Sequence, residues 1–177
     1  MDAEQTSLIF EPVLESNWST QVTATMARVR AQGREPGRLY QTLANAPATL
    51  DAWVEFATRI RTEMQLPRAV RELVIIRVGQ LSRSTYEERQ HAAMALAQGV
   101  PASKIERVNM WRQSSEFDAR ERACLEFCER MVIDGEVDEP TLEMLRSTVN
   151  AQEAVELVVT VAFYCMVSKV LATWRIT

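Results

Sequence analysis

Histidine is almost missing from this chain: His91 is the only one among 177 residues. That excludes zinc and iron centres built from clustered imidazoles, and the scattered carboxylates offer no metal-ligand spacing of their own. No metal and no cofactor is therefore expected, and no glycine-rich loop is present to cradle a phosphate. Cysteine is also scarce, and the three residues Cys124, Cys128 and Cys165 contain no C-x-x-C pair. Cys124 and Cys128 stand at i, i+4, a poor geometry for a disulfide, which needs Cβ atoms about 3.5–4.5 Å apart. With Phe127 and Met131 they read as one apolar helical stripe, the usual habitat of a free cysteine. Peroxidase turnover by thiols needs an attacking thiolate and a resolving partner close to it, so that activity is rejected.

Lys/Arg blocks are absent too. A net charge of −4 without clustered positive charge argues against a nucleic-acid or anionic-membrane partner. No run reaches the ~20 apolar residues of a membrane span; residues 157–167 come nearest, bracketed by Glu153, Glu156 and Lys169. Residues 1–17, MDAEQTSLIFEPVLESN, lack the basic start and apolar centre of a secretory signal and are expected to form an N-terminal arm that packs on the domain or on a neighbouring subunit. A cytoplasmic protein follows as the expectation. Five glycines and six prolines are few. They read as separating periodic segments, which favours an all-α fold. With 47% hydrophobic residues the chain suits one domain over 1–177 with a sizeable core.

Periodicity predicts eight or nine helices. One spans about 19–32 and stops at Gly33; a short one lies within 36–46; a third begins at Pro47 with Leu50, Trp53, Val54, Ala57, Ile60 and Met64 as its stripe. After Pro101 a helix buries Ile105 and Val108, and a looser stretch runs from Trp111 to Phe117. Asp118-x-x-Glu121 has the form of a capping box for a helix over 119–133. Asp138 and Pro140 introduce another, and 151–173 forms the last. That last helix is apolar on almost every side and must be covered all round, in the domain centre or by another subunit.

The segment 66–99, LPRAVRELVIIRVGQLSRSTYEERQHAAMALAQG, organises the rest. Val70, Leu73, Val74, Val78 and Leu81 mark one helical face after Pro67. Ser82 and Arg83 break the pattern, and Ser84-Thr-Tyr-Glu87 has the S-x-x-E form of a capping box for a second helix ending at Gly99. In such an antiparallel hairpin, position 72 lies within one turn of His91 at ~1.5 Å per residue. Ser84, Glu87 and His91 share one face of the second helix. Glu72, Ser84, Glu87 and His91 can thus line one pocket, in which a carboxylate would orient the imidazole and raise its basicity. Ordinary alternatives stand beside each role: Ser84 and Glu87 as a cap, Glu72 as an ion pair with Arg68 or Arg71, His91 bonded to Glu87 alone, and Tyr86 as core rather than a phenolic donor. One of Arg68, Arg71, Arg77, Arg83 and Arg89 could clamp a substrate carboxylate.

The string E-x11-S-x2-E-x3-H, followed by an alanine-rich turn, resembles the carboxymuconolactone decarboxylase and AhpD-like superfamily over roughly residues 39–174, with YEERQH its most specific part. The peroxidase branch carries Glu and C-x-x-C-x-x-x-H, and Glu72, Ser84, Glu87 and His91 stand at those positions without either cysteine. The decarboxylase string H-E-L-R-L-H is matched at Glu87 and His91, with Tyr86 replacing its first histidine. The resemblance implies a multi-helical AhpD-like fold, assembly into trimers or hexamers, and a cofactor-free lyase or isomerase acting by proton transfer on a small carboxylated or lactone substrate. His91 would shuttle the proton, Glu87 and Glu72 would orient it, and Tyr86 and Ser84 would bind substrate. An oligomeric binding or scaffold protein that has kept the fold and lost the chemistry is the alternative.

Overall fold

The computed structural model describes residues 11–177; residues 1–10, the larger part of the expected N-terminal arm, lie outside the described residues. Among the described residues there are nine α-helices, two 3₁₀ segments and no strand. The chain divides into two compact units, one running up to Thr62 with residues 173–176, the other comprising residues 63–172 with Thr177.

In the first unit, α1 (Thr20–Arg30), α2 (Arg38–Leu43) and α3 (Pro47–Thr62) pack with α3 against both others. Ser19 caps α1 by accepting from the Val22 amide. Gly33 closes the helix at φ 73°, a left-handed conformation that glycine adopts without strain. The expected α3 stripe is buried at Leu50, Val54, Ala57 and Ile60, while Trp53 is only half-buried. The described part of the arm lies on its own unit: Val13 donates its amide to the Gln41 carbonyl at 3.0 Å, and Glu15 pairs with Arg30 at 2.8 Å.

The second unit is built on α4 (Arg68–Leu81), which packs against both α5 (Thr85–Ala97) and α7 (Ala119–Ile133). Coverage on several sides explains why burial extends beyond the predicted face to Ile75 and Ile76. Leu73 and Ile76 join Ala95, Val100, Val108, Trp111, Phe117 and Leu125 in the core. α6 (Ala102–Glu106) and the 3₁₀ segment Val108–Gln113 cover one end. The looser stretch foreseen around Trp111 is this 3₁₀ segment, and Ile105 is half-buried rather than buried. Across α4 and α7 lies a buried clamp: Glu129 accepts from Arg77 Nε at 2.6 Å and Trp111 Nε1 at 2.9 Å, and also pairs with Arg112.

Helix starts follow the predicted caps in part. The Asp118/Glu121 box forms at α7, and Asp138 caps α8 (Glu139–Arg146). α9 (Ala151–Thr173) opens with an unforeseen box: Asn150 donates its amide to Glu153 Oε2 at 2.9 Å and accepts the Glu153 amide at 3.0 Å. Glu153 also pairs with Arg120, and Glu156 accepts the Leu66 amide at 2.7 Å. The two bracketing acids are thus buried partners. Coverage of α9 is incomplete, for Val155, Val158 and Met166 remain exposed. By length and composition α9 could cross a membrane, but half of its apolar window is buried, as in a core helix.

Candidate active site

Gly79 is the exception to the rule that glycines separate helices: it lies inside α4 and is buried. A Cβ there would stand 3.1 Å from Glu88 Cγ and 3.2 Å from the Glu88 amide nitrogen. Its bare backbone therefore lets the first turn of α5 rest directly on α4. The connection is correspondingly tight. Arg83 takes φ 56°, the Arg83 amide bonds the Gln80 carbonyl at 3.2 Å, and the Ser84 amide bonds the Gly79 carbonyl at 2.8 Å. These are the two bonds of a Schellman motif, here with arginine in the left-handed position.

That motif corrects the expected capping box. Ser84 is the N-cap of α5, but its side chain makes no cap bond. A reciprocal box needs Glu87 to accept the Ser84 amide, and that amide is already donated to Gly79. Glu87 is released from the helix end and turns to His91, one helical turn along.

Glu72, Glu87 and His91 meet as the register of the hairpin predicts. All three are nearly inaccessible, at 3%, 4% and 5% exposure. His91 Nδ1 lies 2.6 Å from Glu72 Oε2, and its Nε2 lies 3.3 Å from Glu87 Oε2. The first contact is a hydrogen bond; the second is out of line for one, so Glu87 Oε2 is buried without a hydrogen-bond partner. The Tyr164 ring meets the imidazole edge to face at 4.8 Å. Arg68 Nε reaches the other Glu72 oxygen at 3.3 Å.

Burial alone would push the His91 imidazole down, but the hydrogen bond to Glu72 and the nearby charge of the two acids outweigh it and hold the ring above the ordinary histidine value. For Glu72, burial pushes upward, and His91 with Arg68 pulls the carboxyl below its usual range. The two directions agree on an imidazolium paired with the Glu72 carboxylate. Each ring nitrogen faces an acid, which leaves neither lone pair free for a metal. Among the described residues no group of three or more His, Cys, Asp and Glu is arranged to hold one.

The remaining candidates separate. Ser84 is buried at the turn, and Tyr86 is half-buried beneath the Arg89 guanidinium at 6.0 Å. Arg71 is buried and donates to the Leu66 carbonyl, Arg77 belongs to the Glu129 clamp, and Arg83 is exposed at the turn. Arg68 is bonded to the acid–histidine array through Glu72. Both α7 thiols are buried; burial pushes Cys124 up to about 12 and raises Cys128 as well, keeping them protonated. Tyr164 escaped the sequence reading, because an aromatic in a charge-free helix gives no sign of what it will touch.

The carboxymuconolactone decarboxylase family model matches residues 47–130. No curated protein sequence matches the chain. The fold is similar to a cysteine-to-alanine variant of the debrominase Bmp8 in complex with 2,3,4-tribromopyrrole, at TM-score 0.83 and 15% identity over 96% of this chain and 91% of that one. It is similar to an uncharacterized peroxidase-related protein from Silicibacter sp. TM1040, at TM-score 0.83 and 19% identity over 99% and 92% of the two chains. An alkylhydroperoxidase AhpD core protein from Ralstonia eutropha JMP134 gives TM-score 0.80 and 18% identity over 94% and 90%. At such identities the likeness is one of fold. The family match runs across the hairpin that holds Glu72, Glu87 and His91, and together with the likeness of fold it supports the carboxymuconolactone decarboxylase/AhpD-like superfamily.

Proposed function

We propose that this protein is an enzyme that moves a proton on a small carboxylated or lactone substrate, in a decarboxylation, isomerisation or related lyase step. The observation that supports this most is the buried Glu72–His91–Glu87 array, in which one carboxylate oxygen has no hydrogen bond. Structural ion pairs are normally saturated with donors, because each orphaned polar atom in the interior costs about 1–3 kcal/mol. An unsaturated acid beside a fixed imidazolium is instead poised to take a proton from a bound molecule and return it to another atom. The adjacent positive charge would stabilise the anion formed between the two steps. Arg68, next to Glu72, is the arginine best placed to bind a substrate carboxylate. We further propose that the protein works as a homo-oligomer, a reading supported by the uncovered Val155, Val158 and Met166 stripe.

Turnover of a panel of small carboxylated lactones, followed by NMR, tests the reading. The parent protein is expected to convert at least one, and His91→Ala to reduce the rate by about 100-fold or more. A folded His91→Ala protein working at the parental rate would rule the mechanism out.

A further inference from the structure

We infer that His91 is a latch: its proton holds Glu87 inward, and loss of that proton releases the acid and opens the first turn of α5 over the buried array. This adds a control on the site of the acid/base reading, and it rests on the geometry of the array without any assumed reaction. The two acids beside the ring are held unequally. Glu72 faces His91 Nδ1 at 2.6 Å and accepts from Arg68 Nε at 3.3 Å, and the buried Arg71 guanidinium lies close enough to feel its charge. Glu87 Oε2 has only Nε2 beside it, at 3.3 Å and out of line, and makes no hydrogen bond. From α9 the ring meets the edge of Tyr164, while Glu156, which faces Arg71, is committed to the Leu66 amide at 2.7 Å. Glu88 rests on Gly79 and feels the charge of Arg77 instead.

A charged imidazole ring carries two N–H groups, and a neutral one carries a single N–H. The short contact to Glu72 keeps that last proton on Nδ1, so Nε2 turns a bare lone pair on Glu87 Oε2. Two acceptors then face each other in the interior, which drives the acid outward. Little on the helix side resists. Ser84 makes no side-chain cap bond, and its amide, bonded to the Gly79 carbonyl at 2.8 Å, can stay in place as a pivot. What yields is the first helical bond of α5, from the Glu88 amide to the Ser84 carbonyl at 3.1 Å. The equivalent bond of α7, from the Arg122 amide to the Asp118 carbonyl at 3.0 Å, is locked beneath a complete capping box. The sign follows from the ring. Closed, it is held above the ordinary histidine value; with Glu87 withdrawn it falls back toward that value. The turn is therefore shut in acid and loosens as pH rises from the open ring's value to the closed ring's, by up to about tenfold per pH unit within that window. Opening gives water and small solutes a way to an array that is otherwise nearly inaccessible.

Amide hydrogen exchange of the full-length protein, followed by NMR from mildly acidic to mildly alkaline pH, reads the opening. The Glu88 amide is compared with the Arg122 amide after correction for intrinsic exchange, and the His91 ring, unique in this chain, is titrated in the same samples. Protection at Glu88 is expected to fall about tenfold or more relative to Arg122 as the ring titrates. His91→Gln and Glu87→Gln are each expected to flatten that fall, the first by removing the titrating proton and the second by removing the facing acceptor. Glu87→Gln is also expected to move the ring's titration toward the ordinary value. A ring that titrates with no change at Glu88, a ring that stays protonated throughout the range, or the same fall surviving in either variant overturns the latch. None of these measurements uses a substrate, so the proton-transfer reading stands or falls separately, on turnover.

Discussion

Glu129 and Glu87 are both buried in the second unit, and they are treated differently. Glu129 is met by Arg77 from α4 and by the Trp111 indole and Arg112 from the 3₁₀ segment. Donors outweigh burial and hold its carboxyl below the usual range. Glu87 is comparably hidden, yet its Oε2 has only an out-of-line imidazole beside it. A saturated carboxylate ties elements together and can do little else. An unsaturated one contributes little to stability and retains a lone pair for a ligand.

Exchanging each acid for its amide should expose the contrast. Glu129→Gln is expected to cost about 3 kcal/mol, since it strips the buried charge from three donors. Glu87→Gln should stay within about 1 kcal/mol of the parent, because no well-formed bond is lost. Urea titrations of the two variants decide the matter, and equal losses would erase the distinction. Gly79→Ala asks whether the hairpin carrying Glu87 tolerates any separation. A gain of up to about 1 kcal/mol in helix propensity should be overturned into a net loss of about 1–3 kcal/mol, as the new methyl meets the Glu88 backbone. A variant melting at or above the parental temperature would show that α5 rides more loosely than the contacts imply.

Acidity sharpens the comparison from the other side. Histidine held above its ordinary value stabilises the fold fully below about 6.5 and loses that contribution as pH rises through the folded value. Glu72, held low, contributes fully above about 4.3 and loses its share as pH falls through its folded value. The pair therefore supports the fold best between those limits. In His91→Gln the alkaline decline of melting temperature should flatten, and since no other histidine exists, an unchanged slope would have to come from elsewhere. The smallest effect belongs to the two N-caps. Asp118→Ala should cost about 1 kcal/mol, and Ser84→Ala less than about 0.5 kcal/mol, as only the former makes its cap bond. Comparable losses in thermal melts would restore the capping role that the turn geometry denies Ser84.

Much of this architecture can be read from residue order. The spans of α7 and α9, the stop at Gly33 and the meeting of Glu72 with His91 follow from spacing, caps and rise per residue, which are local quantities. Reading stops where a side chain's partner is far along the chain. Tyr164 is seventy-three positions from the ring it touches, and Glu156 spends its carboxylate on the Leu66 amide. Ser84 and Glu87 mislead for a subtler reason: the motif they spell is genuine, but Gly79 takes the amide it requires. The five arginines look interchangeable in the sequence, and only packing sorts Arg68 from the clamp residue Arg77 and the buried Arg71.

The Schellman turn at Arg83 amounts to a spacer of fixed length. Inserting one residue after it would withdraw the Ser84 amide from Gly79, offer it to Glu87, and draw that acid back to the helix end. The Glu72–His91–Glu87 array could then be taken apart without altering any of its members, by adding a single peptide unit outside it.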